Sequence, residues 1–202
     1  MLEPCFDGQI NILVVNARHM KNVPGRKTDM RDAQWIATLL RAGLLKGSFI
    51  PDKTFRELRH LTRYRKSIVR DITAQKNRID KFLQSSGFRF TAFLSDAFGA
   101  SGRNIIRHLM EYGNISREAL DRCLKTQTRK RIDEILIALN GSLSEHQRGF
   151  LRMIFGHLEA LEQHRHTVED AITKEITKHE EALSLLCSIP GIDVTAAAAI
   201  IA

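Results

Sequence analysis

The sequence predicts a mainly α-helical fold organised around a long antiparallel coiled-coil arm, and three observations carry that prediction. In residues 52–89, Leu58, Leu61, Arg65, Ile68, Ile72, Gln75, Ile79 and Phe82 recur at alternating steps of three and four. In residues 143–183, Leu151, Ile154, Leu158, Leu161, Arg165, Val168 and Ile172 do the same. Sustained spacing of this kind is the signature of helices that meet along an a/d seam, and both runs are far longer than an ordinary globular helix. Third, a single stretch, GQINILVVNA (Gly8 to Ala17), reads as a buried strand, being short, β-branched and bounded by polar turns. One strand cannot build a sheet.

After the strand comes NVPGRK, a Pro-Gly turn. Thr28 or Asp29 then caps an amphipathic helix that holds Trp35, Ile36, Leu39 and Leu40 and ends at Gly43. Pro51 and Asp52 suit the start of the first long helix, and Gly87 suits its stop. Residues 90–142 form the turnaround, with shorter helices expected near 103–112, 116–124 and 128–139. Within it, SDAFGASGRNIIRHLMEYG leads a Gly-rich turn into a helix whose first turn carries Arg103. That start, with Ser101 and Gly102, is either a plain capped turn, the favoured reading, or a phosphate cradle. Ser142 or Ser144 caps the second long helix. LLCSIPGIDVTAAAAIIA closes the chain as a helix end, a Pro-Gly hairpin and a new helix. The hairpin resembles a helix-hairpin-helix element, which offers backbone N–H groups to a DNA phosphate. Asp193 stands where a second Gly is usual, and its charge weakens such a contact. An uncapped apolar run at one end and a lone strand at the other read as a sequence cut at both ends.

The net charge is +8 over 202 residues, a balance that favours an anionic partner. Residues 52–89 alone carry +7, whereas 143–183 carry −3. Arg59, Arg63, Arg65, Lys66, Arg70, Lys76, Arg78 and Lys81 cover more faces of the first long helix than a seam needs. They are candidate nucleic-acid contacts, as are Arg26 and Lys27. The bland alternative is a dimerisation stalk with a solvated charged face. With the helices antiparallel, the basic and acidic outer faces would attract each other. Cys5, Cys123 and Cys187 are widely spaced and form no CxxC, so neither a disulfide framework nor a zinc motif is indicated. That usage suits a reducing, cytoplasmic setting. The apolar runs INILVV and AAAAIIA are too short to span a bilayer.

Asp29 and Asp32 are three residues apart at a helix start and so share a face. Such a pair can hold Mg²⁺ against a substrate phosphate, or simply stabilise the helix N-terminus through its dipole. Spacing alone favours the cap, and two carboxylates fall short of a full metal site. His146, His157, His164, His166 and His179 gather on the second long helix without an i,i+4 His pair beside an acid, so they read as surface or seam residues.

Together, VVNARHMKNVPGRKTDMRDAQWIATLLRAGLLKGSFIP and RELRHLTRYRKSIVRDITAQKNRIDKFL closely resemble the DEDD transposases of bacterial insertion sequences, the IS-one-ten group. SDAFGASGRNII and the closing hairpin are similar to that family in the same order. The resemblance implies a partial RuvC-like, RNase H-like α/β domain in 1–50 and a helical coiled-coil region in 51–182. The start of a helical transposase domain would occupy 183–202. It makes Asp29 and Asp32, in a KTDxxDA motif, the last two of four acidic Mg²⁺ ligands and catalytic residues. It further implies DNA and a structured guide RNA as partners, homo-oligomers through the coiled coil, and a nucleophilic serine in the domain that follows. Neither Glu3 nor Asp7 has the spacing of the two earlier acids. The expected function is therefore DNA transposition by a recombinase, here a fragment inactive on its own. The alternative is a non-catalytic nucleic-acid-binding or dimerisation protein derived from one.

Overall fold

The computed structural model describes residues 13–16 and 29–202, and for residues 29–32 the backbone alone. The chain divides into two compact units, residues 1–53 and 54–202.

In the first unit, α1 (Asp29–Arg41) is a helix of 13 residues. Leu39 is its buried anchor. The helix ends because Gly43 turns left-handed, with φ of 67°. That turn lets the amide of Leu44 donate back to the carbonyl of Leu39 at 3.0 Å. Glycine reaches such a φ without steric cost, and the returning bond satisfies a helix-end carbonyl. Of the strand expected over Gly8–Ala17, residues 13–16 are described. Val15 forms an isolated antiparallel bridge with Gly47, and the amide of Ser48 donates to Val14 at 2.7 Å. Among the described residues this bridge does not extend into a ladder. The remainder of the expected strand lies outside the described residues.

The second unit is built on two long helices, α2 (Lys53–Ser85) and α7 (Glu145–Ile176). Between them come a 3₁₀ turn (Phe90–Phe93), α3 (Ala100–Tyr112), α4 (Arg117–Cys123), α5 (Thr126–Arg129) and α6 (Ile132–Ile137). After α7 follow a second 3₁₀ turn (Thr177–His179), α8 (Glu180–Cys187) and α9 (Val194–Ile201). The long helices lie antiparallel. Phe55 stacks on His179 at 4.7 Å between ring centroids, and Phe82 meets Phe150 at 5.1 Å. Between those ends Arg65 pairs with Glu169, and Gln75 Nε2 donates to the carbonyl of Ile154 at 2.6 Å. Numbers rise on one helix as they fall on the other. Leu58, Ile68, Ile72 and Ile79 of α2 are buried in one core with Leu151, Ile154, Leu158, Val168 and Ile172 of α7. Leu61, Phe82 and Leu161 pack against it partly exposed.

Ser144 is the cap of α7. Its Oγ accepts from the amide of Gln147 at 3.3 Å, and its own amide donates to Gln147 Oε1 at 2.9 Å. The reciprocal pair is a capping box. The helical run expected over 143–183 breaks after Ile176. There the Thr177 hydroxyl donates to the Lys174 carbonyl at 2.8 Å, a local bond that competes with the helix ladder. The helix expected over 128–139 is likewise split into α5 and α6. α3 begins at Ala100, ahead of the expected 103. Gly102 makes that start feasible, since a Cβ there would lie 1.9 Å from the Ala97 carbonyl oxygen.

Candidate nucleic-acid interface

The seam fixes which side of α2 faces the core, and therefore which side faces water. Residues three, four, seven and eleven apart share a helix face. Arg63, Lys66, Arg70 and Lys81 obey that spacing, and all four are exposed on the side away from Ile68, Ile72 and Ile79. At roughly 1.5 Å of rise per residue the row from Arg63 to Lys81 is about 27 Å long. None of the four makes an ion pair or hydrogen bond with any described residue. With no acid in ion-pair contact among the described residues, these four cations leave that face positive.

The other cations of α2 named from the sequence are engaged inside the molecule. Arg65 donates through Nε to Glu169 at 2.8 Å and approaches the same carboxylate through Nη2 at 2.7 Å. Arg59 Nε donates to the carbonyl of Ala202 at 2.6 Å, at the end of α9. Lys76 sits 4.0 Å from Glu162, with its ammonium 5.5 Å from the centre of the Phe98 ring. Arg78 donates to Gln75 Oε1. The acids of α7 do not form an outer face attracted to the outer face of α2, as expected. Glu162 and Glu169 flank the seam and pair across it.

Asp29 and Asp32 fall in the first turn of α1. Their side chains, with Arg26 and Lys27, lie outside the described residues, as do Glu3 and Asp7. Among the described residues no group of three or more His, Cys, Asp or Glu side chains could hold a metal ion. The described part of the chain therefore does not fit a Mg²⁺ site by itself. His146, His157, His164 and His166 are exposed, and His179 packs on Phe55.

Two other phosphate candidates are occupied from within. At the start of α3, Ser101 Oγ accepts from the amide of Lys125 at 3.0 Å. Arg103 donates to both oxygens of Glu162 at 2.7 and 2.8 Å, and through Nε to the Phe98 carbonyl at 2.6 Å. The region is the plain turn. In the closing hairpin Gly191 has φ of 88°. Asp193 caps α9, its Oδ1 accepting from the amide of Ala196 at 2.7 Å. The carboxylate fills the place where a phosphate would meet that helix end.

One concavity was not anticipated. Asn104, His108, Glu111, Tyr112, Arg122 and Cys123 line a cleft of about 590 Å³ between α3 and α4. Burial pushes the His108 imidazole below its ordinary 6.5; Glu111 opposes that shift and Arg122 adds to it. Burial raises the Cys123 thiol. The three-four spacing of Asn104, His108 and Glu111 was the available signal. No helix among the described residues is long and apolar enough to cross a membrane.

Residues 5–87 match the family model of the DEDD transposases of the IS110 group, described as a transposase. The matched span takes in α1 and all of α2. No curated protein and no solved structure matches the chain.

Proposed function

Residues 5–87 carry the transposase segment of the DEDD, IS110-group family, and on that premise we propose that the chain serves DNA transposition by holding nucleic acid on the outer face of α2. The observation that carries this reading is the exposed row Arg63, Lys66, Arg70 and Lys81, which has no ion-pair partner among the described residues. Each phosphate that such a row neutralises releases condensed counterions, so binding weakens steeply with salt. The contact is to the backbone and positions the duplex without reading its sequence. A structured guide RNA offers the same phosphates and is the second ligand proposed for this face.

The antiparallel α2–α7 pair is proposed to be a coiled-coil arm, 51–182, through which two copies associate. It would join a RuvC-like portion in 1–50 to the first part of a helical transposase domain in 183–202. Asp29 and Asp32 are proposed as two of the acidic ligands for Mg²⁺, whose role would be to stabilise attack at phosphorus. Two carboxylates do not suffice for a two-metal site, so the 202-residue chain is expected to bind nucleic acid without cutting it. The exposed cations of α2 also support a second reading, a binding or dimerisation protein without catalysis.

Fluorescence anisotropy with a random-sequence DNA duplex and a folded RNA hairpin, across a salt series, tests the binding. Changing Arg63, Lys66 and Arg70 together to Gln should flatten the log–log salt slope for DNA by about 2 to 3. An unchanged slope would remove α2 from the interface. Asp29→Ala with Asp32→Ala should leave binding intact. Mg²⁺-dependent strand cleavage by the unmodified chain that this pair abolishes would overturn the claim that the chain does not cut.

A further inference from the structure

Residues 122–131 read RCLKTQTRKR, with five cations and no acid. The segment lies beyond the matched span and far along the chain from α2. It joins the end of α4 to α6, and the fold holds it in one place. Lys125 is fixed through its amide, which donates to Ser101 Oγ at 3.0 Å. Arg129 turns back on α4, with Nη2 donating to the Asp121 carbonyl at 2.9 Å and Nε 2.9 Å from the Asp121 carboxylate. Lys130 follows Arg129 directly in the chain, and Arg122 is the last but one residue of α4.

Three nearby acids are already paired, while Glu118, one turn before Arg122 on α4, acts on that guanidinium electrostatically. Asp121 pairs with Arg129, Asp133 with Arg117, and Glu134 with Arg131. Arg122, Lys125 and Lys130 remain exposed, with no side-chain ion pair among the described residues. The exposed Thr126 and Gln127 add hydrogen-bonding groups on the same surface. Lys125 and Lys130 have no acid paired to them among the described residues, and Arg122 is only partly offset by Glu118. We infer that Arg122, Lys125 and Lys130 form a second surface, separate from the α2 row, that takes the phosphate backbone of nucleic acid. The inference extends the proposed binding role to a second element and rests on that reading for its ligand. Two separated patches on one compact unit would hold one polyanion at two points, and each would add to the salt dependence.

The test uses the full chain and a random-sequence DNA duplex, with affinity measured across a salt series. Three variants are compared: Arg122→Gln/Lys125→Gln/Lys130→Gln, Arg63→Gln/Lys66→Gln/Arg70→Gln, and the two sets combined. Each set alone should flatten the salt slope by about 2 to 3, and the combination by about the sum. Arg122→Lys with Lys125→Arg and Lys130→Arg keeps the charge and should keep the slope, which a role in local packing would not require. If the 122–130 set leaves slope and affinity unchanged while the α2 set lowers both, the second surface is refuted and the α2 reading stands. If the reverse holds, the second surface stands and the α2 reading fails. A loss of affinity in the charge-keeping variant, with an unchanged circular dichroism spectrum, would also refute the inference.

Discussion

Gly102 shows how one side-chain hydrogen sets local geometry. Any Cβ at this position would meet the Ala97 carbonyl oxygen at 1.9 Å, and backbone cannot swing away as a flexible side chain does. Gly102→Ala should therefore cost about 3 kcal/mol, at the upper end for overpacking, read as a lower urea midpoint at unchanged slope. Glu162 is a second such point. It receives Arg103 at two oxygens and lies within reach of Lys76, so it ties α3 and α2 to α7. Arg103→Ala would leave that carboxylate partly exposed and half-paired. The expected loss is about 1 to 2 kcal/mol, discounted for solvent screening, and Glu162→Gln should recover part of it in the double variant. His108 titrates with a definite sign. Its folded pKa lies below the ordinary 6.5 because burial disfavours the charged imidazole. The unfolded chain thus binds the proton more readily than the folded one. Stability is complete above about pH 6.5 and falls as pH drops through that value toward the folded pKa. In chemical denaturation at pH 7 and pH 5, His108→Asn should show a smaller drop than the unmodified protein.

At the scale of elements, the α2–α7 pair combines an apolar seam with a few polar interruptions. Gln75 is the buried one, satisfied by the Ile154 carbonyl and by Arg78. A single buried polar residue at a seam position fixes register at some cost in stability. Gln75→Leu should leave the melting temperature equal or higher while broadening the distribution of oligomeric states in light scattering coupled to gel filtration. A unique state in that variant would show that the apolar contacts set register alone. The entry to α7 depends on its cap. Ser144→Ala removes the oxygen that receives the Gln147 amide and should cost about 1 kcal/mol. The break after Ile176 falls where the apolar spacing stops, because residues 177–181 read TKHEE, and the expected helix over 143–183 runs past that point. The Thr177 hydroxyl donates to the Lys174 carbonyl at the break, and in the turn that follows His179 stacks on Phe55.

For the whole molecule, net charge and useful charge differ. Residues 52–89 carry +7, but Arg65 and Lys76 face acids of α7, and the Arg59 guanidinium is tied to the carbonyl of Ala202. Among the described residues, cations without an ion pair include the outer row of α2 and Arg122, Lys125 and Lys130. Binding to nucleic acid should therefore respond to Arg63→Gln/Lys66→Gln/Arg70→Gln through the salt slope. Arg65→Gln should act mainly through stability, because the tie between α2 and Glu169 of α7 is lost and the carboxylate keeps only Arg165 and His166 of its own helix. A melting curve beside the binding isotherm separates the two effects.

The seam positions were legible residue by residue, since three-four spacing translates directly into one buried stripe on a helix. The helix stops at Gly43 and Gly87, both left-handed, were legible for a similar reason, because local backbone chemistry needs only neighbours in sequence. The cap of α7, by contrast, was narrowed only to Ser142 or Ser144, and the structure selects Ser144. The KTDxxDA stretch and its family were legible as a pattern, although the side chains that would test it lie outside the described residues. Which cations stay free was decided by tertiary structure alone. Glu162 and Glu169 reach Lys76, Arg103 and Arg65 only once α7 folds back beside α2 and α3. Asp121 claims Arg129 only once α5 turns onto α4. Spacing along one helix assigns a side chain to a face, but pairing depends on what another part of the chain brings to that face.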